Sequence, residues 1–125
     1  MTENLPLKPQ LTRMHLIDSF NGSRYACFSM NGGVSLSGDN GAGKTSFVTA
    51  TLFFFGSKPS GVQRVSGRPP MDYYFPPSEN AWIIHEYRRH TGDMALAAIY
   101  RHPTMGNINY LLIQGSFERS YFIND

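Results

Sequence analysis

Gly38-Asp39-Asn40-Gly41-Ala42-Gly43-Lys44-Thr45 satisfies the pattern G-x-x-x-x-G-K-[ST] at every fixed position, and its reading decides the fold. Glycines at 38, 41 and 43 let the backbone take positive φ and turn successive N–H groups inward, which makes a concave anion site with no side chain in the way. A helix that starts at such a loop adds its unsatisfied N–H groups and the positive end of its dipole. Lys44 then extends along the β- and γ-phosphates of ATP, and the Thr45 hydroxyl is placed to ligate Mg²⁺. In a chain of this composition the four fixed positions coincide by chance roughly four times in a thousand, so the stretch is read as a phosphate-binding loop.

The neighbours agree with that reading. A short apolar strand, Val34 to Ser37, leads in, and Lys44 to Phe55 leads out. The second segment carries Phe47, Val48, Ala50, Leu52, Phe53, Phe54 and Phe55 with only small polar residues between them, so as a helix it is apolar nearly all round and must be buried on several sides. Its aromatic and β-branched content gives poor helix propensity; the loop before it decides for helix. Upstream, Leu11 to Asp18 and Arg24 to Met30 read as a hairpin about the turn Asn21-Gly22-Ser23. Downstream, Trp82 to Arg89, Met94 to Tyr100, Ile108 to Gln114 and Ser120 to Ile123 read as an antiparallel meander. Residues 1–10 form a lead-in and 57–79, rich in proline, show neither helical nor strand period and read as a long loop.

A length of 125 residues allows one modest core. Hydrophobic residues at 41% against charged residues at 16% describe a foldable chain, not a disordered tail. No run approaches the ~18 apolar residues of a membrane span, so no membrane partner is expected. The N-terminal residues lack the basic then apolar pattern of a secretory signal, and one cysteine, Cys27, fits a reducing compartment, which together predict a cytoplasmic protein. Cys27 itself reads as a small packing residue. A net charge of +2 is too small to announce nucleic-acid binding on its own.

With Ser46 added, the loop resembles the G-x-N-G-[AS]-G-K-[ST]-[ST] loop of SMC-like ATPases, the chromosome-structuring and DNA-repair branch of the ABC ATPases. The order of strands before it, and the closing Tyr121-Phe122-Ile123-Asn124-Asp125, which looks like the Y-x-I-N-[GD] strand of SMC heads, extend the resemblance over the whole chain. Within the family the chain is most similar to the bacterial MukB-like and JetC-like (Wadjet defence) subunits. The resemblance implies an α/β fold: the N-terminal lobe of a P-loop NTPase head over residues 11–125, with a mixed sheet around the Walker A helix plus an antiparallel β meander. It implies ATP and Mg²⁺ as cofactors, bound by Gly38, Asp39, Asn40, Gly41, Ala42, Gly43, Lys44, Thr45 and Ser46. The partners it implies are a C-terminal head lobe, a second SMC-like head and, through the assembled complex, nucleoid DNA.

The sequence departs from a complete head in having no glutamine loop, signature motif, Walker B Asp-Glu pair or switch histidine, so ATP hydrolysis needs residues outside these 125 and the chain alone is expected to be inactive. A non-hydrolysing, nucleotide-dependent interaction module therefore stays open beside the ATPase reading. So does a small P-loop kinase or GTPase, although no N-K-x-D motif is found. Arg64 and Arg68 read as solvated loop arginines, while the resemblance sets them near an arginine that reaches DNA or nucleotide across the head dimer. His85, Glu86, Arg88, Arg89 and His90 read as a solvent face, the four scattered histidines argue against a transition-metal site, and Met71 to Pro77 reads as packing over the sheet rather than a base-stacking platform.

Overall fold

The computed structural model describes residues 10–20, 24–30, 41–56, 58, 67–77, 80–102 and 107–123, with the backbone alone at 41–45 and 47. Five strands form one antiparallel sheet in the order β2-β1-β3-β4-β5: β1 Gln10–Ile17, β2 Tyr25–Ser29, β3 Trp82–Arg88, β4 Met94–Arg101 and β5 Ile108–Gln114. The hairpin β1–β2 runs in the register Met14↔Phe28 and Leu16↔Ala26, as the alternation of β2 predicts. The meander β3–β4–β5 has the expected strands, with β3 closing one residue earlier and β4 one residue later. What local pattern does not contain is the joint between the two units, β1 against β3, in the register Met14↔His85 and Leu16↔Ile83 with an irregularity between Leu11 and Arg13. All pairings among the described residues are antiparallel; the strand expected at 34–37, on which a mixed sheet would rest, lies outside them.

Strand pleating sorts the side chains onto two faces. On the first, Met14, Leu16, Ile83 and Ile99 meet α1 (Gly41–Phe54) through Ala50 and Phe53, and meet Tyr74 and Phe75 at the end of α2 (Pro70–Tyr74). On the second, Ile17, Ile84, Leu96 and Ala98 are covered by Phe117, Phe122 and Ile123. The central strands β3 and β4 are thus buried on both sides, which is why β4 reads as a near-continuous apolar run.

Four expectations are corrected. The helix begins at Gly41 rather than Lys44, which puts Gly41 and Gly43 in helical backbone and not at the positive φ expected of them, and its last α-helical residue is Phe54, after which Gly56 takes φ +97 as its amide bonds the Phe53 carbonyl at 3.2 Å. The 57–79 stretch contains α2: Pro70 fills the first helical turn, where its missing N–H costs nothing, and the Pro69 carbonyl accepts from Asp72 and Tyr73 at 3.0 Å each. Ser120 to Ile123 is no strand but follows into a 3₁₀ turn, Arg119–Tyr121, with Phe122 and Ile123 both bonded to the Arg119 carbonyl. Gly115 at φ +117 turns the chain off β5, and the Phe117 and Phe122 rings, stacked 5.7 Å apart, carry it across the second face instead of along the edge. Finally, His85 and Glu86 are buried, on opposite faces of β3, and form no solvent face.

Candidate functional site

The phosphate-loop residues divide by what the structure describes. Gly38, Asp39 and Asn40 lie outside the described residues, and Gly41, Ala42, Gly43, Lys44 and Thr45 form the first turns of α1 by their backbone. No acidic residue occupies that first turn, so the positive end of the helix dipole meets no carboxylate from within the turn. Ser46 is the first site residue with a described side chain. It is fully buried, its Oγ 2.8 Å from the Tyr73 hydroxyl, so it points into the protein.

That contact begins a seat for α1. Ser19 Oγ donates to the Tyr74 carbonyl at 2.7 Å, Tyr74 packs edge-on against Phe53 with ring centres 5.1 Å apart, and Tyr110 donates its hydroxyl to the Phe53 carbonyl at 2.8 Å. Burial raises the Tyr74 and Tyr110 hydroxyls above their ordinary value, so both stay protonated. His85, fully buried beneath the helix, donates from Nε2 to the Ala50 carbonyl at 3.0 Å. A carbonyl only accepts, so Nε2 carries the proton and Nδ1 is left a bare acceptor, with no hydrogen-bond partner among the described residues. Burial lowers this imidazole to about 4, and His85 is neutral at physiological pH.

Arg68 is exposed and tied to α2: it donates to the Asp72 carbonyl at 3.2 Å and lies 5.8 Å over the Tyr73 ring. Arg64 lies outside the described residues. Tyr74 and Phe75 are buried in the core, which makes 71–77 packing, as expected, and Gln114 ends β5 exposed. Cys27 is exposed on β2, where a packing role was expected.

A second polar cluster was missed. On the opposite face from α1, buried His15 places Nε2 2.9 Å from Glu86 Oε1 and Nδ1 2.9 Å from the Tyr25 hydroxyl. Phe117 stacks on the imidazole at 3.8 Å while its backbone N–H reaches Glu86 Oε2 at 3.2 Å. Burial lowers His15 against the raising pull of Glu86, and burial and then Cys27 push Tyr25 up to about 12. The cluster fastens residues 115–123 onto the sheet. The His15–Glu86 contact depends on the β1–β3 register, so no signal local to either strand reveals it.

Among the described residues no three His, Cys, Asp or Glu side chains are grouped to hold a metal, Asp18, Asp72 and Asp93 each pair with an arginine, and Glu86 is held by His15 with Arg13 at 3.9 Å. An open cleft of about 260 Å³ beside Trp82, Tyr100 and Phe122 has Arg101 in its wall, but Asp72 at 2.6 Å already holds that guanidinium. No described helix is long and apolar enough to cross a membrane. Residues 15–125 match the model of a family described as protein of unknown function, DUF3584. No curated protein and no solved structure matches the chain.

Proposed function

The chain belongs to the DUF3584 family, and on that premise we propose that it is the Mg²⁺-ATP-binding N-terminal lobe of an SMC-like ATPase head, of the kind found in MukB-like and JetC-like proteins, acting in the cytoplasm on DNA. The observation that carries this reading is the complete sequence pattern of residues 38–45, whose last five residues open α1. The residue types present suit such a ligand. An acid-free helix start suits the phosphates, and Mg²⁺ needs little from the protein beyond the Thr45 hydroxyl, since it keeps waters and takes phosphate oxygens. Mg²⁺ held there would supply positive charge to offset the negative charge of the phosphate oxygens.

Within this chain the residues bind and orient and do not hydrolyse. Lys44 would hold the β- and γ-phosphates and Thr45 the metal, while Ser46, His85 and Tyr110 lock α1 to α2 and the sheet. Activation of the attacking water falls to a C-terminal lobe and a second head. In isothermal titration of the intact protein, Lys44→Ala is expected to abolish ATP binding; unchanged affinity overturns the reading. A non-hydrolysing, nucleotide-dependent interaction module is favoured instead if the intact protein binds ATP and releases no phosphate above the Lys44→Ala background. Its supporting observation is that Asp18, Asp72, Glu86 and Asp93 are all engaged elsewhere.

A further inference from the structure

β5 contradicts its own position. Tyr110-Leu111-Leu112-Ile113 is apolar on both faces, the composition of a strand in the middle of a sheet, yet among the described residues β5 is the outermost strand, with Leu112 70% and Leu111 46% exposed on opposite faces. Edge strands ordinarily protect themselves with charge, proline or a bulge. Ile108–Gln114 contains no charged residue, no proline and no glycine, and its register against β4 is unbroken.

The backbone says which groups await a partner. Gly115 N–H bonds the Met94 carbonyl and His102 N–H bonds the Asn107 carbonyl. Pairs in the register Ala95↔Gln114 alternate between bonded and non-bonded, so odd-numbered residues of β5 turn their N–H and C=O toward β4. Ile108, Tyr110, Leu112 and Gln114 turn theirs outward.

We propose that this edge pairs antiparallel with β5 of a second copy of the chain, about a two-fold axis at Leu111. That register sets Tyr110 opposite Leu112 of the second copy and Ile108 opposite Gln114, and all four are the outward-directed residues, so each pair exchanges two backbone hydrogen bonds. Leu111 faces itself in a non-bonded pair. The pairing covers Leu112 with an aromatic ring on one face and Leu111 with its twin on the other, and it opposes no like charges. The other edge is a poorer mate: β2 has five residues against the seven of β5, and joining β5 to β2 of a neighbour is a head-to-tail contact that extends without closing. The proposal is independent of nucleotide binding.

Two measurements on the intact protein test it. Sedimentation at up to ~100 µM is expected to show a reversible dimer, also with Lys44→Ala and without ATP. Leu112→Pro removes only an outward N–H and therefore spares the β4 ladder; with circular dichroism unchanged it is expected to weaken association at least ~tenfold, as is Leu112→Lys. In a Cys27→Ser background, Leu111→Cys is expected to form an intermolecular disulfide on mild oxidation, because non-bonded antiparallel partners lie about 4.5 Å apart at Cα. Asn109→Cys, displaced from its twin by four residues, or ~13 Å, is the control that stays reduced. A monomer throughout, equal crosslinking at 109 and 111, or association untouched by Leu112→Pro and Leu112→Lys overturns the proposal; the last outcome assigns association to another surface.

Discussion

His85 and His15 stand on opposite faces of one sheet, and burial lowers both imidazoles below the ordinary value of 6.5. The consequence is a stability that depends on pH with a definite sign. His85 titrates at about 4 folded against 6.5 unfolded, so on acidification the unfolded chain takes up the proton first. The stabilisation is complete above 6.5 and is lost as pH falls toward 4, with a slope approaching ~1.4 kcal/mol per pH unit for one such group. His15 adds in the same direction. Urea unfolding midpoints should therefore fall between about pH 7 and about pH 5, and His85→Gln, whose amide can still donate to the Ala50 carbonyl, should flatten that fall. A midpoint independent of pH over this range would show that neither imidazole is held neutral. At the opposite extreme of exposure, Asp93 is lowered by its hydrogen bond from Thr91 and then by Arg89 in a solvated turn, and contributes nothing comparable.

α1 shows how far local pattern reaches and where it stops. Its existence was legible because a glycine-rich loop and an apolar run agreed, although its propensity argued against it. The depth of each phenylalanine was not legible, since a helix apolar all round gives no moment to orient it. Phe53 is fully buried against Tyr74 and Phe75, whereas Val48, Leu52 and Phe55 form an exposed i, i+4, i+7 row. Phe53→Ala should then cost ~3–5 kcal/mol. Leu52→Gln should stay within ~0.5 kcal/mol, and thermal unfolding of the two variants side by side decides it; equal losses would mean the exposed row is packed in solution. The hairpin and meander were readable because Asn21-Gly22-Ser23 and His90-Thr91-Gly92-Asp93 carry turn chemistry on their own. The 3₁₀ turn at Arg119–Tyr121 was not, because Tyr121, Phe122 and Ile123 have strand composition and only Phe117 stacking on His15 reveals that they cross the sheet. α2 was hidden in the same way: five residues cannot display a period, and Pro69-Pro70 reads equally as loop.

The molecule as a whole joins two locally coded units through one long-range pairing, β1 with β3, and the buried His15–Glu86 pair exists only because of it. The distribution of charge is likewise a property of the assembled chain. Net charge is +2, and the arginines that sequence shows as scattered are further spent: Arg24 on Asp18 at 2.5 Å, Arg89 on Asp93 at 3.2 Å, Arg101 on Asp72 at 2.6 Å. Non-specific DNA affinity grows with the number of phosphates neutralised together, and its salt dependence counts them. This chain should accordingly bind duplex DNA weakly, with a log–log salt slope shallower than about −2. In the proposed head pair, ATP brings two copies of the segment carrying Arg64 and Arg68 onto one surface, and the slope should steepen. Salt titrations of duplex binding by residues 1–125 and by the intact protein with ATP distinguish the cases. Equal affinity and slope would put the DNA site within this chain, and Arg64→Ala with Arg68→Ala leaving the intact protein's slope unchanged would remove both arginines from it. Arg68→Ala alone has a structural readout as well. It deletes the bond to the Asp72 carbonyl and the contact over Tyr73, a loss of about 1 kcal/mol in unfolding, so a change in DNA binding larger than that loss explains is the part that belongs to phosphate contact.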